Sequence, residues 1–185
     1  NGSAVNEDGS IGAPKGKIGE TDGGGISSMR AKTQMEAQRM THFNIWTIPG
    51  ALPLATWVNN LQQFAEETRL GIPITIASDP RNHFSKAIFE MEAKDFSQWC
   101  QPLGLAAVGD PELVRQFAET AREEYVAAGI RMALHPQIDL ATEPRWPRIG
   151  GTFGEDADLS AKLVKAYLAG FQGDQLGPES VACMT

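Results

Sequence analysis

An α/β fold built on parallel strands is the class this sequence predicts, and three observations carry that expectation. Short apolar runs rich in β-branched residues alternate with longer amphipathic stretches of helical period. The run at residues 72–77, IPITIA, has almost no polarity, as a strand buried on both faces requires. Polar, conformationally specialised residues follow directly on two such runs, at 78–84 and from His135 onward. In barrels and open α/β sheets, sites gather there, at the carboxyl ends of strands.

Taken in order, residues 1–22 are dominated by glycine, serine, asparagine and charge, which bury too little surface to order themselves; they form an extended or disordered leader. The triplet Gly23-Gly24-Gly25 lacks the Gly-Lys-Ser/Thr of a phosphate cradle and is read as a turn or the start of a short strand. Residues 31–40 contain good helix formers without a strong apolar stripe, so a short exposed helix is expected. After Pro53, Trp57, Leu61, Phe64, Ala65 and Thr68 recur at helical spacing, and Gly71 is expected to end that helix. The strand at 72–77 follows, with Pro73 near its start, where a missing donor matters least.

Asp110-Pro111-Glu112 opens the next helix with an acceptor side chain, a proline at the first helical position and an acid near the positive dipole end. Leu113, Val114, Phe117, Ala121, Tyr125 and Val126 form its stripe, and Gly129 stops it. A strand at 130–134 leads into a loop rich in arginine, tryptophan and proline, too specialised for a plain connector. Glu155 and Asp156 are assigned to capping the helix that runs over 157–171, whose end Gly170 and Gly173 loosen. A short apolar strand begins at 180–185.

Composition narrows the function. With 42% hydrophobic and 21% charged residues the chain is ordinary globular material, and a net charge of −7 offers no basic stripe to neutralise phosphates. Nucleic acid is therefore excluded as a partner and neutral ligands fit better. No run of eighteen apolar residues exists, so no membrane span is expected. Cys100 and Cys183 suggest neither a disulfide framework nor a metal site, and both are read as buried thiols. No cofactor is called for.

The loop carries a resemblance as well. Asp139-Leu140-Ala141-Thr142-Glu143-Pro144-Arg145-Trp146-Pro147-Arg148, followed by Thr152-Phe153-Gly154-Glu155-Asp156, resembles the signature of the glycoside hydrolase family 3 β-glucosidases and exo-β-glucanases, whose usual form is D-x-x-R-D-P-R-W-G-R and then E-[ST]-[FY]-G-E-D. Gly71-Ile72-Pro73 and Asp79 match the family's G-I-P-[LV]-x-x-x-x-D strand. The resemblance implies a (β/α)8 barrel. A whole one needs about 250 residues, so residues 23–185 correspond to an incomplete barrel domain, its amino-terminal half.

The same resemblance implies a retaining exo-β-glucosidase acting on terminal non-reducing β-D-glucosyl residues of a β-glucoside or oligosaccharide. Asp79 and Arg148 are then substrate binders, since family members use these positions on sugar hydroxyls. Read from the residues alone, capping of the following turn is the preferred role of Asp79, and it is the resemblance that turns the preference to sugar binding. Arg145 is expected in a structural ion pair, and Trp146 either stacks on a sugar or anchors packing. His83 and Asp139 complete the supporting candidates, although a lone loop histidine is more often hydrogen-bonded than catalytic. Pro147 stands where the family has glycine, and Gly151 where glutamate is common.

The family's nucleophile segment, G-[FY]-x-x-S-D, does not occur in these residues, and its acid/base normally follows further on. No catalytic residue is therefore assigned here, and this chain alone is expected not to hydrolyse glycosides. A non-catalytic carbohydrate-binding or scaffold fragment and a β-N-acetylglucosaminidase of the same family are the alternatives. An incomplete barrel would expose strand edges, which predicts self-association. A periplasmic or secreted location fits the resemblance for an intact protein, while the sequence opens on polar residues with no secretory signal.

Overall fold

A computed structural model of the chain describes residues 2–3, 5, 9, 11, 31–45, 48–84, 93 and 95–185. Among the described residues five strands, β1 (Gly2–Ser3), β2 (His42–Ile45), β3 (Thr75–Ser78), β4 (Met132–Ala133) and β5 (Ala182–Cys183), lie side by side in the order of the chain, and every adjacent pair is parallel. A doubly wound sheet reverses its strand order at a switch point; this one does not. Successive right-handed crossovers without reversal put the helices on one side and curve the sheet into an arc of a barrel.

The outer layer follows the same order. Helix α1 (Ala31–Gln38) packs on α2 (Ala51–Glu66), α2 on α4 (Pro111–Ala128), and α4 on α5 (Ala157–Gln172), while the short α3 (Pro102–Val108) lies against α5 and the 3-10 turn Ile149–Gly151. Registered rows run across the sheet, Ile45 beside Ser78, Ser78 beside Ala133, Ala133 beside Cys183. The side chains of Phe43, Ile45, Ile76, Ser78 and Ala133 are buried under the helices. Because neighbours in a strand alternate faces, Asn44, Ala77, Met132 and Ala182 turn to the inner, concave face, and three of these four retain solvent contact.

Several boundaries differ from expectation for local reasons. Helix α2 begins at Ala51, so Pro53 sits inside its first turn, where a missing N–H costs nothing. Its C-cap is Glu67; Gly71, at φ +59°, closes the turn beyond. Ile72 is 47% exposed and pairing starts only at Thr75, with Gln62 bonding both the N–H and C=O of Ile74 in place of a ladder. Strand β4 is only two residues long, although Arg131 N–H and Leu134 N–H still bond β3 carbonyls at 3.0 and 2.9 Å. Strand β2 and helix α3 are short elements that the sequence pattern does not predict.

Around α4 the agreement is close. Asp110 accepts from Glu112 N–H at 2.9 Å, Pro111 opens the helix, and Gly129 caps it at φ +83°. Gly170 is a correction: it does not loosen α5 but lets it touch α4, since a Cβ there would stand 2.4 Å from Ala118 Cβ and 2.7 Å from Arg115 O. The cysteines are a second one, Cys100 being exposed and Cys183 partly so, because each sits at an element's edge. Of the leader, Gly2 and Ser3 pair with β2 and Val5 is buried; most of it, and the Gly23-Gly24-Gly25 turn, lie outside the described residues.

Candidate functional site

Asp79 is the first residue past β3 and shares the parity of Ala77, so its side chain turns to the concave face. There Asn44, from β2, donates its Nδ2 to Asp79 Oδ2 at 3.3 Å, while Asn44 Oδ1 has no partner among the described residues. No bond from the Asp79 carboxylate to a turn N–H is present among those residues. The group is half-buried and open to the side on which a ligand would lie.

Its backbone is held from behind. The Asp79 carbonyl accepts from Tyr125 Oη at 3.0 Å and from Ser78 Oγ at 2.9 Å, which occupies both lone pairs. Arg81, only 2% exposed, donates Nε to Ser78 Oγ at 2.7 Å and Nη2 to the Ile45 carbonyl at 2.6 Å, tying the tips of β2 and β3 together. Burial pulls its pKa down, opposed by Tyr125 and the Asp79 carboxylate. A guanidinium remains charged even so, and a fixed positive charge stands beside the candidate acid.

The loop over 134–156 leaves the carboxyl end of β4, the strand next to β3, so it rises on the same end of the sheet as Asp79. Ala141 N–H bonds the Gly154 carbonyl at 3.0 Å and closes the loop at its base, and Phe153 is buried against Tyr167. Within it, Glu143 takes Arg145 in a two-pronged ion pair, 2.8 Å to both Nε and Nη2, and receives the Arg145 N–H at 2.9 Å. The arginine holds the Glu143 carboxyl down at about 2. Arg145 is thus committed, as expected, although in an exposed pair. Arg148 is exposed, and its guanidinium makes no hydrogen bond or ion pair among the described residues. Trp146 is half-buried and Asp139 exposed.

Gly151 lies against Gln137: a Cβ there would be 3.1 Å from Gln137 Oε1, so a larger residue would require the glutamine side chain to shift. Asp156 caps α5 by accepting from Leu159 N–H at 2.8 Å, and Glu155 stays in solvent beside it. His83 donates its Nδ1–H to the Cys100 carbonyl at 2.8 Å, stacks on Phe117 and is pushed down to about 4 by burial. Its ring is spent on packing.

Sequence reasoning did not find Asn44, Arg81 or His135. Asn44 lies in a strand of four residues, too short to show a pattern; the others are buried polar residues in loops, which reveal their partners only once the chain is folded. Among the described residues, no group of three or more His, Cys, Asp or Glu is placed to hold a metal ion, and no helix is long and apolar enough to cross a membrane.

An arc of a parallel α/β barrel, with a carboxylate and an uncommitted guanidinium on loops from adjacent strand tips, defines the class of domain. Residues 49–183 match the model of the glycosyl hydrolase family 3 N-terminal domain. Over 86% of its length the chain is 52% identical to β-glucosidase C of Emericella nidulans, and over 86% it is 49% identical to a periplasmic β-glucosidase/β-xylosidase of Dickeya chrysanthemi. A β-glucosidase of Listeria innocua, solved in complex with glucose, superposes with a TM-score of 0.58 at 28% identity, covering 76% of this chain and 18% of that one. The chain belongs to glycosyl hydrolase family 3, within its N-terminal barrel domain. It spans about a quarter of the length of the two curated relatives, 26% and 25%.

Proposed function

We propose that the chain is the amino-terminal part of the barrel of a retaining exo-β-glucosidase and supplies the grip on the terminal non-reducing glucosyl residue. The observation that carries this reading is the Asp79 carboxylate, turned to the concave face beside Asn44, one strand from the loop that bears the uncommitted Arg148. A carboxylate accepts hydrogen bonds from sugar hydroxyls, and a planar guanidinium donates two at once to a vicinal pair. Such charge-assisted bonds are the strong ones, each contributing about 1.5–3 kcal/mol. Arg145 cannot serve the same purpose while Glu143 holds it.

Retaining hydrolysis needs a nucleophile and an acid/base about 5–5.5 Å apart. The family's nucleophile segment does not occur in residues 1–185, and Asp156, the acid at the end of the signature, is used in a helix cap. The chain on its own therefore binds and does not cleave. The names of the relatives support a glucosyl or xylosyl substrate, and the periplasmic relative supports a location outside the cytoplasm. Strands β1 and β5 bound the described sheet, and Met184 beside β5 is 57% exposed, which favours self-association.

Calorimetric titration of the 185-residue chain with glucose, run beside an aryl β-glucoside assay, tests the reading. Binding without turnover is expected. Absence of binding, or hydrolysis at the rate of a complete relative, would reject it. A compact monomer in light scattering would reject the self-association.

A further inference from the structure

Behind Asp79 lies a buried chain of polar groups that the sugar grip itself does not use. His135, 4% exposed, stands between two buried tyrosines: its Nε2 is 3.0 Å from Tyr125 Oη on α4, and its Nδ1 meets Tyr167 Oη on α5. One arrangement gives every proton an acceptor. In it the Tyr125 hydroxyl donates to the Asp79 carbonyl, which can only accept, and Tyr125 Oη accepts from His135. Nε2 then carries the ring proton, Nδ1 keeps its lone pair, and Tyr167 donates to it. Burial, with His83 and Arg81 nearby, pushes the ring down to about 3, which keeps it neutral.

We infer that His135 is a positioning residue: a one-way relay, Tyr167 to His135 to Tyr125 to the Asp79 carbonyl, sets where the Asp79 carboxylate stands relative to the loop that carries Arg148. His135 is the first loop residue past Leu134, whose N–H still bonds Ser78 O at 2.9 Å, so the relay joins the two loops of the site through Tyr125. It also meets a second chain, Arg81 through Ser78, on the same carbonyl. With both lone pairs occupied, the peptide after Asp79 cannot rotate without breaking a hydrogen bond. Leaving such a group unsatisfied is costly, which is what makes the arrangement rigid.

The relay stands on geometry; its service to a sugar rests on the function proposed above. Long-range proton–nitrogen correlation spectra of the 15N-labelled chain at neutral pH separate the two. Protonated Nε2 and bare Nδ1 at His135 are expected, and the opposite tautomer or an imidazolium would overturn the relay whether or not sugar binds. Tyr125→Phe is expected to weaken glucose binding about tenfold with the far-ultraviolet circular dichroism unchanged. Tyr167→Phe, one step further back, should mix the His135 tautomers and weaken glucose by a smaller factor, and it decides the matter if the first variant does not fold. A chain that binds glucose equally well in both variants would overturn the positioning role. A wild-type chain that shows the expected tautomer but binds no glucose would leave the relay standing and remove the sugar reading.

Discussion

Asn44 Nδ2 lies 3.3 Å from Asp79 Oδ2, across the tips of two adjacent parallel strands on the concave face. This contact orients a carboxylate that would otherwise be free to turn. Replacing Asp79 with Ala should cost glucose affinity about tenfold to a hundredfold, the worth of charge-assisted bonds to hydroxyls. Asn44→Ala should cost less, since the acid remains. Titration calorimetry on both variants checks the ranking.

The two loop arginines should separate. Arg148→Ala is expected to weaken glucose binding about tenfold. Arg145→Ala should leave it unchanged, because its guanidinium is held by Glu143 in solvent, where ion pairs add little. Equal losses from both would show that the commitment of Arg145 is irrelevant to ligand.

Acid should destabilise the fold through its buried histidines. His135 titrates at about 3 when folded against 6.5 unfolded, and His83 at about 4. Below pH 6.5 the unfolded chain takes up protons that the folded chain refuses, so stability is full above that pH and falls as pH drops toward the folded values. For His135 the loss is about 1.4 kcal/mol per pH unit. Denaturant midpoints between pH 7.5 and 5 should show the slope, and His135→Gln should flatten it. The Glu143 window lies lower, between 4.5 and about 2.

Gly170→Ala should lower the melting temperature. The added methyl meets Ala118 and the Arg115 carbonyl where α5 crosses α4, and overpacking of this kind costs about 1–3 kcal/mol.

The two thiols should differ toward an aromatic disulfide reagent. Cys100 is exposed, whereas burial pushes Cys183 up to about 12 and leaves almost no thiolate at neutral pH. Fast labelling of one site and slow labelling of the other is expected, with Cys100→Ser removing the fast phase.

The alternation of apolar runs with amphipathic helices, the Asp110-Pro111-Glu112 cap, the Gly129 stop and the loop signature from Asp139 to Asp156 were all readable in the chain, because each depends on neighbours a few residues apart. From them the parallel α/β class, the family and the candidates Asp79 and Arg148 could be named. Strand β2 could not be read, since four residues carry too little pattern, and with it went Asn44. The ion-pair role of Arg145 was expected, but its partner Glu143 was not, since that is set by where the loop folds back. Above all, the chain order hides that Tyr125, His135 and Tyr167 meet behind Asp79: a histidine's tautomer is set by which donors and acceptors surround it, and only packing α4 and α5 onto the strand tips brings those together.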